Sequence, residues 1–375
     1  MRIPFNKPFF CGGEAHNMAM AAFSGQLSGN GVFTQKCHEF FRQRYGFKKV
    51  LLTTSCSDAL EMAAILSEVG PGDEVIMPSF TFMSTANAFI LRGAKIVFAD
   101  TYKHIPNIDP DAIEALINPR TKAIVLVHYS GIACDMDRIM ALAQKHNLLV
   151  VEDAAHAVDA YYKGKPLGSI GHFGTFSFHE TKNIISGEGG LLAINDERFA
   201  KRAEIIWEKG TNRAAFHRGE VDKYGWVDIG SSYLPPEMIA GFLFAQLENL
   251  ETIQNRRVKA WNAYYNLLKP LQDKGFIKLP VLPEYATQNG NLFYFFARTP
   301  DERNSLLDYL KQQGIHAVFH YLPLEKSPYF APKHDGRELP NTQYFSDCIV
   351  RLPFFVELKK REIEYVAKKL ALYFT

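Results

Sequence analysis

In the stretch TFSFHETKNIISGEGG (175–190) a single lysine, Lys182, lies between a short alternating segment and a glycine-rich turn. An exposed ammonium is the ordinary reading of any one lysine. Burial disfavours the charged form, however, and a neutral amine is the species that attacks an aldehyde to form a Schiff base. Two more segments carry candidate chemistry. VVEDAAHAV (150–158) is an apolar run ending in Glu152 and Asp153, so a carboxylate falls at the strand end where open α/β sheets bind ligands. Asp153 reads equally well as a helix cap, and His156 by itself reads as a packed histidine. TSCSDAL (54–60) opens a helix with Thr54, Ser55, Cys56 and Ser57. Free N–H groups and the positive end of the helix dipole suit a phosphate there, while Ser55 or Ser57 also suits a plain N-cap.

Taken together the three segments describe one cofactor. A phosphate needs a helix N-terminus, a pyridine nitrogen needs a carboxylate and an aldehyde needs a lysine, which is the requirement of pyridoxal 5′-phosphate (PLP). Neither GxGxxG nor GxxxxGK[ST] follows the first strand, so the nicotinamide and nucleotide-hydrolysing signatures are missing. The histidines form no HExxH and no tight cluster with cysteine, and no metal is expected.

These groups need a scaffold, and the hydrophobic pattern supplies one. KVLLTT, DEVIMP, KIVFAD, KAIVLVH, LLVVED, TFSFH and GGLLAIN read as seven strands, separated between 49 and 195 by amphipathic segments. That is the pattern of an α/β protein with a mostly parallel seven-stranded sheet covered by helices on both faces. CSDALEMAAILSEVGPGDE reads as a helix with Leu60, Ala63, Ala64 and Ser67 on one face, stopped by Gly70 and Pro71. Near Glu248 the pattern changes. LENLETIQNRRVKAWNAYYNLLKPL reads as one long amphipathic helix, and shorter α+β segments follow it. The expected division is a large domain over 1–249, which would bind the cofactor, and a smaller one over 250–375.

The 375 residues are 47% hydrophobic and 22% charged, with a formal charge of +2, which suits a packed core and gives no support for nucleic-acid or membrane-surface binding. Cys11, Cys37, Cys56, Cys134 and Cys348 are scattered and odd in number, as free thiols in a reducing compartment would be. MRIPFNKPFFCGG lacks the apolar core of a signal peptide, and no stretch approaches a membrane span, so a cytoplasmic protein is expected.

EDAAHAV, FSFHETKN with GEGG, PSFTFMSTANA, VHYSG and HYLPL, in this combination, resemble the DegT/DnrJ/EryC1/StrS sugar aminotransferases, and the likeness runs through essentially the whole chain. It implies the aspartate-aminotransferase fold (fold type I of PLP enzymes). Lys182 would hold the cofactor's aldehyde and act as base and acid, and Asp153 would pair with the pyridine nitrogen. Phe82 would stack on the ring, His156 would lie beside its oxygen, and Cys56, Ser57 and Ser177 would hold the phosphate. His320 and Tyr321 would meet the nucleotide-linked keto sugar, with Asn212 and Arg213 as further substrate contacts. The resemblance also implies L-glutamate as donor and a homodimer with active sites at the interface. VLLTTSCSDALEMAA, AEIIWEKGTNR and VDKYGWVDIGSSYL are most similar to the branch that aminates C4 of a dTDP-linked 6-deoxy keto sugar. Two positions depart from the family: Leu234 stands where many relatives have an Asn that crosses the dimer interface, and Glu325 where many have His.

Overall fold

In the computed structural model, which describes residues 1–374, the seven apolar runs form one sheet. The strands are β1 (Lys49–Thr53), β2 (Glu74–Pro78), β3 (Lys95–Ala99), β4 (Thr121–Val127) and β5 (Leu149–Asp153), then, past a two-residue hairpin of β6 (Tyr161–Tyr162) and β7 (Lys165–Pro166), β8 (Phe173–Ser177) and β9 (Gly190–Ile194). Their order is β1-β9-β8-β5-β4-β2-β3. Only β9 runs against its neighbours, pairing antiparallel with both β1 and β8. The sheet is seven-stranded and mostly parallel with helices on both faces, as the hydrophobic pattern implies.

Strand residues alternate between two cores because successive side chains point to opposite faces. Val50, Leu52, Ile76 and Ile124 pack on one face against α2 (Val32–Tyr45), α6 (Met136–His146) and α9 (Glu237–Glu248). Leu51, Val75, Met77 and Ala123 pack on the other against α3 (Cys56–Leu66), α4 (Met83–Ile90) and α7 (Ala200–Trp207). With both faces covered, β2, β8 and β9 are buried throughout, and β9 reads as a continuous apolar run. The remaining helices before α10 are α1 (Glu14–Phe23), packed on α9, the short α5 (Pro110–Glu114), and α8 (Arg213–His217), which buries no residue.

Some helix boundaries differ from those expected. α3 stops at Leu66, a turn before Gly70, because Glu68 turns left-handed at φ 54°, just past Ser67, whose hydroxyl bonds the Ala63 carbonyl (2.7 Å). The long helix read from Leu247 is two helices: α9 ends at Glu248 and α10 (Leu250–Asp273) begins past Asn249, whose φ of −107° and ψ of 10° break the register. Leu250 and Ile253 of α10 still belong to the sheet's core, whereas Trp261, Tyr264 and Leu268 build a separate one. That third core joins α11 (Pro300–Gln312) and α13 (Lys360–Phe374) to the pair β10 (Tyr294–Phe296) and β11 (Ile349–Arg351), with α12 (Pro340–Cys348) leading into β11. No helix among the described residues is long and apolar enough to cross a membrane, and the five cysteines are free.

A buried carboxylate ties the centre of the sheet to the loop before β8. Glu152 accepts the N–H groups of Gly168 (2.8 Å), Ile170 (2.7 Å) and Gly171 (2.5 Å). His128 accepts the Cys134 N–H at Nδ1 (3.1 Å), so its proton sits on Nε2, which donates to Glu152 (2.8 Å). Glu152 and Asp153 therefore divide the work at the end of β5: one side chain holds the fold and the other is left for the cavity. Glu152→Ala leaves four buried donors without an acceptor. It is expected to lower the unfolding free energy by about 3–5 kcal/mol, measured as an earlier denaturant midpoint at unchanged slope; a loss below about 1 kcal/mol would show that the loop does not depend on it.

Candidate active site

The ends of β1, β5 and β8 and the start of β9 meet at one edge of the sheet, because only β9 is reversed. A cavity of about 1100 Å³ opens there, its lining completed by residues 319–324 and 326–328 and by Arg351. Lys182, Asp153, His156, Cys56, Ser57, Ser177, Phe82, His320 and Tyr321 all line it.

Lys182 lies in the loop from β8 to β9, which folds back on itself. The Phe178 N–H donates to Gly189 O (2.9 Å), Ser186 N–H to Phe178 O (2.7 Å) and Glu180 N–H to Gly187 O (2.9 Å). Gly187 has φ of +82°, a conformation that suits glycine. Gly190 is required for space: a Cβ there would come within 2.4 Å of the Ser55 carbonyl group. The adjacent Asn183 is buried, donating to Asn289 O (2.9 Å) and Gln254 Oε1 (2.8 Å) and accepting from Asn291 (2.7 Å). The backbone beside Lys182 is thereby anchored while its amine faces the cavity. Burial pushes the Lys182 pKa down to about 8, with Arg351 adding to the effect and Asp153 opposing it.

No helix follows Asp153, so it caps none: its Oδ1 accepts the Ala155 N–H (3.1 Å) within a turn, and its Oδ2 accepts the Thr85 hydroxyl (2.7 Å) at the cavity wall. Burial raises its carboxyl above the usual range, against the pull of those two bonds. At the start of α3 the roles separate by residue. Ser55 is the N-cap, accepting the Asp58 N–H (3.1 Å), whereas the Ser57 hydroxyl bonds Ser84 (2.7 Å) and lines the cavity. The first-turn amides at Cys56 and Ser57 fall among those that a helix leaves without internal acceptors. The Cys56 thiol is pushed far up by burial and stays protonated.

The two histidines form an uncharged wall. His156 accepts the Ser130 N–H at Nδ1 (3.2 Å), which leaves the proton on Nε2, 3.5 Å from the Tyr321 hydroxyl. The Tyr129 hydroxyl, which burial keeps protonated, is hydrogen-bonded with His320 Nδ1 (2.6 Å). Burial holds both imidazoles well below the ordinary histidine range. The His320 and Tyr321 rings stack at 3.7 Å, and the half-exposed Phe82 ring lies 6.4 Å from Tyr321.

Asn212 and Arg213, expected at the substrate, are not among the cavity residues of this chain. They open α8, where Asn212 accepts the Gly225 N–H (2.8 Å) and Arg213 bonds His217 (3.2 Å), and no residue of α8 is buried. Glu325 is buried against the Ser79 hydroxyl, and Leu234 packs on the core over Gly29. Sequence reading missed Thr85, Ser84, Tyr129, Asn183 and Arg351. Ser84 and Thr85 sit inside SFTFMSTANA and Arg351 ends an apolar strand, so only the spacing of a hydroxyl two residues past Phe82 gave any signal.

The donor set fits PLP. An anion site at the start of α3 into which Gly190 admits no side chain, a buried carboxylate and a buried amine open onto a single cavity. Residues 12–371 match the model of the DegT/DnrJ/EryC1/StrS aminotransferase family. The spore coat polysaccharide biosynthesis protein SpsC of Bacillus subtilis (strain 168) is 32% identical over 97% of this chain and 95% of its own. The aminotransferase from Psychrobacter cryohalolentis superposes with a TM-score of 0.93 at 27% identity, covering 99% of each chain. The PLP form of Spr1654 from Streptococcus pneumoniae superposes with a TM-score of 0.90 at 25% identity, over 98% of this chain and 97% of that one.

Lys182 is expected to be reactive at lower pH than an ordinary lysine. In cofactor-free protein its modification by trinitrobenzenesulfonate, followed on the Lys182 peptide by mass spectrometry, should rise through a midpoint near 8, against ~10.4 for a free side chain. Asp153→Asn removes an opposing negative charge and should move the midpoint lower still. A midpoint above about 10 would mean that the amine is not desolvated.

Proposed function

From the premise that this chain belongs to the DegT/DnrJ/EryC1/StrS aminotransferase family, and is a PLP-dependent enzyme, we propose that it moves an amino group from L-glutamate to C4 of dTDP-4-keto-6-deoxy-D-glucose. The products are 2-oxoglutarate and dTDP-4-amino-4,6-dideoxy-D-galactose, a precursor for surface polysaccharide such as O-antigen or enterobacterial common antigen. The convergence of Lys182, Asp153 and the start of α3 on one cavity carries the aminotransferase part of this reading. The sugar rests on the likeness of KGTNR, VDKYGWVDIGSSYL and the neighbouring motifs to the dTDP-4-amino-4,6-dideoxygalactose transaminase branch. The name of the relative SpsC, a polysaccharide biosynthesis protein, points the same way.

When bound, PLP supplies an electron-withdrawing ring that takes up the electron pair left as the donor's Cα loses its proton. The protein's part follows from the geometry above. Lys182 would hold the cofactor aldehyde, and once freed by the donor amine its Nζ would move a proton from the donor's Cα to the cofactor's C4′ and, in the second half, from C4′ to the sugar carbon. An amine with a pKa of about 8 can do both near neutral pH, since neither protonation state is far out of reach. Asp153 would pair with the ring nitrogen, kept in orientation by Thr85 and the Ala155 N–H. A proton held on that nitrogen is favoured by a carboxylate whose burial leaves it few other partners. The α3 amides with Ser57 and Ser177 would hold the phosphate. Phe82 would cover the ring face, and His156 would offer its Nε2–H to the ring oxygen. His320 and Tyr321 shape the sugar side, and their apolar faces exclude water from the proton transfers.

A homodimer belongs to the same proposal. Phe23 (86% exposed) and Trp226 (85%) are large apolar side chains with no cover in the single chain, and Asn212 and Arg213, outside its own cavity, lie on the segment next to Trp226. Leu234, packed on the core, is not the crossing group.

The test is the product. Proton NMR of the nucleotide sugar formed from dTDP-4-keto-6-deoxyglucose, L-glutamate and PLP-loaded protein should show couplings at C4 for an axial amine. An equatorial amine would assign the gluco-forming reaction instead, and a product formed only from a 3-keto sugar would assign C3 amination. PLP binding with no turnover of any nucleotide sugar would indicate a non-catalytic, regulatory protein. Lys182→Ala is expected to lose both the visible absorbance of covalently held cofactor and all measurable transfer, and Asp153→Asn to keep the cofactor while slowing transfer at least about a hundredfold.

A further inference from the structure

The turn that follows β4 reaches both cavity histidines. Within it Ser130 takes a left-handed backbone, φ 59° and ψ 17°, which a residue other than glycine adopts only at a cost that its surroundings offset. Three hydrogen bonds hold the turn. The Tyr129 N–H donates to Asn107 Oδ1 (3.1 Å), the Ser130 hydroxyl to Leu292 O (3.3 Å) and the Ser130 N–H to His156 Nδ1 (3.2 Å). The Tyr129 ring is buried, its centre 5.2 Å from that of Phe80 and 5.5 Å from that of Tyr294.

Among the described residues the Tyr129 hydroxyl has one partner, His320 Nδ1 at 2.6 Å. If it accepted a proton from that nitrogen, its own O–H would be buried with no acceptor, and an unmet buried donor is rarer and costlier than an unused lone pair. The hydroxyl therefore donates and Nδ1 accepts. A neutral imidazole with Nδ1 as acceptor carries its proton on Nε2. His320 is held neutral by burial, with Arg351, His156 and Lys182 acting in the same direction, so its tautomer and not its charge decides what it can offer a ligand. Its Nε2 has no partner among the described residues, and the ring lines the cavity with Tyr321 stacked on it at 3.7 Å.

A ketone oxygen can only accept. The Nδ1–H tautomer would set the Nε2 lone pair against the lone pairs of that oxygen, whereas the Nε2–H tautomer sets a donor there, where negative charge grows as the amine nitrogen adds to the carbonyl carbon. We propose that Tyr129 is a positioning residue for the sugar half of the reaction: its hydroxyl sets the Nε2–H tautomer of His320, and the ring then donates to the keto oxygen of the sugar. This inference rests on the keto-sugar acceptor proposed above. The same turn sets the second ring, because the Ser130 N–H at His156 Nδ1 likewise leaves that proton on Nε2. Two adjacent residues of one strained turn thus fix two tautomers, one for the cofactor and one for the substrate.

The experiment compares wild type, Tyr129→Phe, His320→Gln and the double variant as PLP-loaded proteins, with matched thermal midpoints and cofactor absorbance as controls for folding. In protein labelled with nitrogen-15 at histidine, NMR shows which imidazole nitrogen carries the proton, and the His320 signals are those lost in His320→Gln. Wild type is expected to be protonated at Nε2 of His320, and Tyr129→Phe to show a mixture of tautomers. Tyr129→Phe should slow amine transfer to the keto sugar about tenfold or more, with half-saturation by the sugar changed less than about threefold and the donor half, read from cofactor absorbance on adding L-glutamate, within about twofold. Glutamine brings an amide donor with no tautomer to set, so adding Tyr129→Phe to His320→Gln should cost less than about twofold. A wild-type His320 protonated at Nδ1, a Tyr129→Phe variant that slows both halves alike, or one that costs as much without His320 as with it overturns the assignment. Because the spectra need no sugar, a wild type inactive on dTDP-4-keto-6-deoxyglucose would overturn the choice of substrate, while the tautomer is decided by the spectra alone.

Discussion

The site depends on one close approach of backbone to backbone. Gly190, the first residue of β9, pairs with Thr53 of β1 on one side and Ser177 of β8 on the other. Its Cα lies so near the turn entering α3 that no Cβ would fit beside Ser55 and Cys56. This contact puts the amides at the helix start, the Ser177 hydroxyl and the loop carrying Lys182 at one edge. A larger residue would push the helix start away from the sheet and separate the groups that must share a ligand. The glycine-rich end of the segment is thus a packing requirement as much as a turn.

Around that edge the electrostatics follow from exclusion of water. Histidines are held neutral, tyrosines and Cys56 keep their protons, and Lys182 comes down to about 8. Asp153 moves the other way, its carboxyl raised by burial though two donors bond it. All of these shifts have burial as their largest cause, so the cavity favours uncharged forms generally. A group that stays charged in such a place stands out, and Arg351 is that group.

The neighbouring carboxylates Glu152 and Asp153 show how the fold and the chemistry are separated. Side chains on successive strand residues point to opposite faces, so one carboxylate reaches the loop before β8 and the other the cavity. Glu152 receives a complete set of donors from the protein itself, whereas Asp153 is bonded once at each oxygen and retains accepting capacity.

The seven strands, their α/β order and the convergence of Lys182, Asp153 and the start of α3 were legible in the residues, because a strand covered on both faces must be apolar along its length and a ligand edge must carry polar residues at strand ends. The family resemblance added Phe82, Ser177, His156, His320 and Tyr321, which local pattern does not distinguish from core or loop. Tertiary structure alone decided the rest. Whether Ser55 or Ser57 capped α3 turned on which hydroxyl met the Asp58 N–H and which met Ser84. Asn249 divided a continuous amphipathic pattern, since a break of one residue leaves the apolar face nearly in phase. Asn212 and Arg213 fell outside the chain's own cavity, and Arg351, from an unremarked apolar strand, fell within it. Sequence records which residues can bury a face or carry a charge, but which partner a polar group finds depends on segments far apart in the chain that only packing brings together.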